Sequence, residues 1–195
     1  MDIYIDRLRE EFRKYADIPE EQLRIYISVS KLLKVNKGEY FVKTDEKQDK
    51  MAFILSGIFR VFCITVSGRE KTLVFRDENH FLSGYSPYLT NEKSWYAIQA
   101  IEDSLLIYNT FDNYDKYLGH PCWNDLTLKY IQKLFMEKEQ REREFLTEDA
   151  TERYIKLTQQ EPKFESRIPQ YYIASYLGIS PVSLSRIRKQ LKLGH

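Results

Sequence analysis

Two cysteines and three histidines are all that this 195-residue chain offers to disulfides, clusters or metals. Cys63 and Cys122 lie far apart and form no CxxC pair. That excludes a disulfide-stapled scaffold and a four-cysteine iron–sulfur site, and leaves each as a small buried hydrophobe in a reducing compartment. His80, His120 and His195 are too scattered for the ligand spacing of a metal site. No apolar run approaches the roughly 18 residues that cross a bilayer. The opening MDIYIDRLREEF is charged from its second residue and lacks the apolar core of a signal peptide, so a cytoplasmic protein with no membrane partner is expected. A phosphate-binding glycine loop, a nucleophile elbow and an HExxH pair are also missing. No catalytic residue, metal ligand or cofactor is therefore assigned, and an enzyme is not expected.

What is present is a globular composition, 43% hydrophobic and 30% charged, which excludes a disordered chain. The net charge of +1 conceals an asymmetry. Residues 151–195 carry eight basic and three acidic side chains, a net of +5, which leaves the first 150 residues at −4. Nothing acidic follows Glu165. A small basic unit on a slightly acidic body suits a phosphate-bearing partner, whereas a merely solvated tail would show no further pattern.

In residues 3–28, Ile5, Leu8, Phe12 and Tyr15, then Leu23 and Tyr26, recur near helical spacing, with Asp17 and Pro19 between two short helices. Residues 31–109 change texture to short runs rich in Val, Ile, Phe and Tyr: KLLKV, EYFVKT, MAFIL, IFRVFCITV, KTLVF, WYAIQAI and SLLIY. Gly38, Gly57 and Gly68 stand at three of the breaks, so about seven or eight strands in a jelly-roll sandwich or barrel are predicted. After His120 and Pro121 there is no Pro or Gly through residues 122–146, which predicts a helix of about 25 residues and roughly 37 Å. Leu128, Ile131, Phe135 and Phe145 make one apolar stripe on it, and Trp123, Leu126, Tyr130 and Leu134 another. Two stripes need two partners: the β domain, and the same helix of a second copy, unless the helix is buried wholly within one subunit. The run EKEQRERE, residues 137–144, is expected to be a solvated face with i,i+4 pairs.

The basic tail carries the specific pattern. Counting Gln170 as the first of twenty positions, Ala174 falls fifth, where a small residue lets two helices approach, and Gly178 ninth, where a turn needs positive φ. Ile173, Leu177, Ile179, Leu184 and Ile187 fall where the two helices of a helix-turn-helix pack together. Ser180 can cap the second helix and Pro181 can open it.

With KGEYF, ILSGIFRVF and SGRE in the β region, and ERY, RIPQ and IASYLGISPVSLSRIRK in the tail, the chain resembles Crp/Fnr-family transcriptional regulators over nearly its whole length. The resemblance implies an α+β architecture: a cyclic-nucleotide-binding-like β-roll sensor with N-terminal helices (1–119), a dimerisation helix (120–147) and a helix-turn-helix domain (148–195). It further implies a homodimer on palindromic double-stranded DNA, with contact to RNA polymerase at promoters and affinity set by a small-molecule effector. Arg186 matches the family's base-reading arginine, whose planar fork suits guanine O6 and N7. Val182 stands where relatives on the best-known operator carry Glu, so a different operator is implied. Ser180, Ser183 and Ser185 join the DNA-facing set, and Arg188, Lys189 and Lys192 are assigned to phosphates. The chain stops at His195, before the β-hairpin wing that often follows.

The sensor departs further from the family pattern. Cyclic-nucleotide binders carry Gly-Glu and then Arg-Ser or Arg-Thr; here Gly84 is followed by Tyr85, and Lys93-Ser94 replaces the second pair. Lys lacks the fork that holds a phosphate at two oxygens. An effector other than cyclic AMP is expected, with Gly84, Tyr85, Lys93 and Ser94 as pocket candidates. Tyr88, Trp95 and Tyr96 are either pocket lining or core. Two other classes stay open at this point. A cupin-type enzyme is opposed by the single His80 in the β region. The second is a ligand-binding module that does not touch DNA.

Overall fold

The computed structural model describes residues 2–193. Two helices, α1 (Asp2–Arg13) and α2 (Glu20–Val29), precede eight strands: β1 (Lys31–Val35), β2 (Tyr40–Val42), β3 (Lys50–Ser56), β4 (Phe59–Ile64), β5 (Glu70–Arg76), β6 (Phe81–Ser83), β7 (Tyr96–Ala100) and β8 (Ser104–Thr110). The strands form two four-stranded sheets in the orders β1-β8-β3-β6 and β2-β7-β4-β5, each pair antiparallel. This is the expected jelly roll. Between the sheets lie Val35, Val42, Ile54, Phe59, Leu82, Ile98 and Leu106, the inward positions of strands whose side chains alternate between faces. Gly57 turns β3 into β4 at φ +106°, and a Cβ there would fall 2.0 Å from Ser104 Oγ, so both backbone and space demand glycine.

Before residue 120, three elements exceed the sequence reading: β6, α3 (Tyr85–Thr90) and α4 (Phe111–Tyr117). All are short. Pro87 sits in the first turn of α3, where its missing N–H has no helical partner. Asn91, at φ 53°, ends that helix.

The long helix α5 (Pro121–Thr147) starts from His120, whose Nδ1 accepts from the Cys122 N–H at 3.4 Å, with Pro121 in its first turn. Its stripe of Trp123, Leu126 and Tyr130 packs on α1, α2 and β6: Trp123 sets its ring edge-on to Phe12 at 5.6 Å, and Tyr130 does the same to Phe81 at 5.0 Å. The other stripe faces outward at Leu128, Ile131 and Phe135, exposed by 57%, 39% and 66%, while its fourth member, Phe145, lies against Gly178 with Arg141 and Arg153 over its ring at 4.8 and 4.5 Å. The charged run is only half solvated: Glu137 accepts from Arg76 at 2.8 Å and Arg141 donates to the Tyr176 carbonyl at 2.8 Å, while Gln140 and Glu144 make the expected surface pair. Cys63 and Cys122 are free and half-buried.

Four helices complete the chain: α6 (Ala150–Gln160), α7 (Phe164–Arg167), α8 (Gln170–Leu177) and α9 (Pro181–Leu193). Asp149 and Glu152 form a reciprocal capping box at the start of α6. Tyr154, Leu157, Phe164, Ile168, Ile173, Leu177, Leu184 and Ile187 bury one another, and the same cluster takes in Ile58, Phe75 and Ile101 of the β-roll. The C-terminal helices are thus seated on the roll through a continuous apolar contact.

Candidate functional site

The α8 and α9 pair has the predicted internal geometry. Gly178 closes α8 in the left-handed region at φ 76°, and the Ile179 N–H returns to the Ala174 carbonyl at 3.0 Å, so the turn satisfies carbonyls the helix end would leave open. Ala174 is fully buried, and Leu184 and Ile187 of α9 pack on Ile173 and Leu177 of α8. The Ser180 hydroxyl caps α9, accepting from the Ser183 N–H at 3.1 Å.

On the far side of α9, Val182, Ser185, Arg186 and Lys189 are all exposed, and their i, i+3, i+4, i+7 spacing gathers them on one face. That face combines an apolar contact, a small hydroxyl, a guanidinium and an ammonium. Ser183 is half-buried and belongs to the cap, its hydroxyl 2.9 Å from that of Ser180. Arg188 turns inward to Glu165 at 3.1 Å. The side chain of Lys192, and His195 altogether, lie outside the described residues.

The pair is held to the β-roll by polar contacts that the sequence did not announce. Strand β5 is an edge of its sheet. The Ser175 hydroxyl of α8 covers that edge, accepting from the Thr72 N–H at 3.0 Å and donating to the Glu70 carbonyl at 3.3 Å. The Arg60 guanidinium, 3% exposed, lies between the rings of Phe62 and Tyr172 at 3.9 and 3.8 Å, one ring from the roll and one from α8. Glu70 at 2.6 Å and Gln99 at 2.7 Å satisfy it, in a cleft of about 330 Å³ whose polar groups are largely paired with one another. Arg167 of α7 grips Glu78 at 2.6 Å and also Glu102, which raises its pKa further, and Lys163 pairs with buried Asp77. At the other end of α8, Arg153 donates to the Leu177 carbonyl at 3.1 Å, and Arg141 stacks on Tyr176 at 3.7 Å, burial pushing the Arg141 pKa down. A lone Arg between apolar strand residues, FRVFC, was the only available sign of Arg60.

Residues 32–117 match the family of cyclic nucleotide-binding domains. The c-di-GMP-responsive global regulator CLP of Xanthomonas campestris superposes with a TM-score of 0.73 at 11% identity, over 90% of this chain and 93% of that one. A protein of Eubacterium rectale assigned to the Crp/Fnr family of transcriptional regulators gives 0.72 at 16%, over 91% and 85%. FixK2 of Bradyrhizobium japonicum gives 0.69 at 18%, over 85% and 86%. The chain has the Crp/Fnr fold. No curated protein sequence matches it.

Within this Crp/Fnr fold, the pocket candidates Gly84, Tyr85, Lys93 and Ser94 lie between β6 and β7. Gly84 is buried under Gln48, whose Cγ lies 2.3 Å from where a Cβ would stand. Ser94 is buried with its hydroxyl already donating to the Tyr96 carbonyl at 2.7 Å, and Lys93 is exposed. Tyr85 packs with Tyr88, Phe111 and Tyr114, the Tyr88 and Phe111 rings stacking at 3.9 Å, so these aromatics join α3 to α4. Burial and the Asp115 carboxylate both act on Tyr88: the hydrogen bond to Asp115 is the larger cause of its pKa rising to about 12. Tyr96 donates to the Ser83 carbonyl at 3.2 Å, while Trp95 is exposed. The adjacent cavity of about 340 Å³ is lined by Lys47, Gln48, Pro87, Tyr88, Asn91 and Glu92 together with Leu89, and by none of the four pocket candidates. Among the described residues no cluster of His, Cys, Asp or Glu is arranged to hold a metal, and no helix is long and apolar enough to cross a membrane.

Proposed function

We propose that the protein is a DNA-binding transcriptional regulator that acts in the cytoplasm as a homodimer on a palindromic site. The observation that carries this reading is the exposed row Val182, Ser185, Arg186 and Lys189 on a capped helix that is packed by the expected turn against α8. Its division is a sensor over 1–119, a dimerisation helix over 120–147 and a DNA-binding unit over 148–195. The outward stripe of α5 supplies the dimer contact, so that two copies of α9 face successive major grooves. The effector is a small molecule other than cyclic AMP, since Lys93 and Ser94 offer no guanidinium to a cyclic phosphate. RNA polymerase is a partner at promoters. The regulators to which the fold is similar support this assignment.

Arg186 reads a guanine, and Lys189 holds phosphate. On a duplex selected from random sequences, Arg186→Ala is expected to lose about 1 to 3 kcal/mol of affinity with little change on scrambled DNA. Lys189→Ala should weaken both duplexes alike and flatten the slope of log affinity against log salt by about one unit per subunit. Equal losses on both duplexes for Arg186→Ala would make it a phosphate contact and move base reading to Val182 and Ser185.

A further inference from the structure

Arg188 is cationic and lies on the recognition helix, yet it does not share the face of Arg186 and Lys189. The buried side of α9 runs through Leu184 and Ile187 with half-buried Leu191. Arg188 is four residues after Leu184 and next to Ile187, which puts it on this side. At 3.6 residues per turn it points about 200° away from Arg186. Its side chain is 30% exposed, and both Nε and Nη2 reach the same oxygen of Glu165, at 3.2 and 3.1 Å. The Tyr154 hydroxyl donates to that oxygen at 2.5 Å; burial and this hydrogen bond push the Tyr154 pKa up to about 12. One carboxylate oxygen thus ties α6, α7 and α9 together through charge-assisted bonds.

Within the DNA-binding reading above, on which it rests, we propose that Arg188 is a positioning residue of the recognition helix and not a phosphate contact. Glu165, the last acidic residue of the chain, is paired with Arg188 inside the helical unit. With Arg188 held inward, α9 cannot roll about its axis, and Arg186 is held outward. To grip a phosphate, Arg188 would have to leave Glu165 unpaired and swing round the helix.

The test is the salt dependence of DNA affinity for the full-length protein, on a duplex selected from random sequences by the unmodified chain and on a scrambled duplex. Arg188→Ala is expected to keep the unmodified salt slope while losing several-fold of its preference for the selected duplex. Arg188→Gln, which keeps a hydrogen-bond donor toward Glu165 without the charge, serves if the alanine variant does not fold. Glu165→Gln releases the guanidinium and should steepen the slope by up to about 0.9 units per subunit. A slope flattened by about 0.9 units per subunit in the Arg188 variants would overturn the proposal by showing a phosphate contact. Unchanged slope and unchanged preference in all variants would overturn it too, since Arg188 would then position nothing. If the unmodified chain selects no duplex, the DNA-binding reading fails first, and the positioning role falls with it.

Discussion

The carboxylate of Asp77 is buried against His80 and Lys163. Burial raises its pKa, but the hydrogen bonds from His80 and Lys163 more than offset that and lower it from 3.8 to about 2. A folded-state pKa below the unfolded one gives stability that is present above about pH 4 and lost as pH falls through about 2; the shift corresponds to about 2 kcal/mol. Denaturant unfolding at about pH 5 and about pH 2 should show that loss in the unmodified protein, and Asp77→Asn should be weaker at the higher pH with a correspondingly smaller acid loss. An identical acid loss in the variant would mean that other carboxylates carry it. Asp77 illustrates what a sequence withholds at this scale. Gly57, Gly178, Ser180 and Pro181 announce themselves, because turns and helix starts admit few residue types. Asp77, Arg60 and Arg188 look like ordinary surface charges until the partner across the fold is known, as Glu165 is for Arg188.

The long helix α5 was legible, and the short β6 and α3 were not. Helix α5 declares both of its stripes because 27 residues give each several repeats. The three-residue β6 and six-residue α3 are too short for a period to emerge, and they exist because the roll and α4 pack around them. The exposed stripe of α5 leads to a prediction at this scale. Ile131→Asp combined with Phe135→Asp should convert a dimer to monomers in sedimentation at micromolar concentration, because two desolvated apolar contacts per helix become carboxylates at a coiled-coil seam. Both residues are solvent-exposed in the single chain, so the monomer's helical content should be unchanged. An unmodified protein that sediments as a monomer would remove the partner from that stripe, and the palindromic site with it.

For the molecule as a whole, the legible part was the order of pieces, from helices through a jelly roll and a long helix to a helix-turn-helix. How the pieces are joined was not legible. Ser175 on the edge of β5, Arg60 between Phe62 and Tyr172, and Arg167 between Glu78 and Glu102 pack the C-terminal helices and the β-roll together. Apart from Arg60 and Phe62, none of these pairs is close in sequence, and pattern reading has no access to contacts that the fold alone creates. Gly84 and Tyr85 are held by packing and Ser94 by a backbone hydrogen bond, while Lys93 is exposed, a difference that their closeness in sequence does not show. The central claim remains that two copies present α9 to successive major grooves. Selection of the full-length protein against random double-stranded DNA tests it most directly. The expected result is an inverted repeat with half-sites about 10 to 10.5 base pairs apart, centre to centre, and a guanine in each. Recovery of unenriched sequence, or of a single unrepeated half-site, would contradict the account.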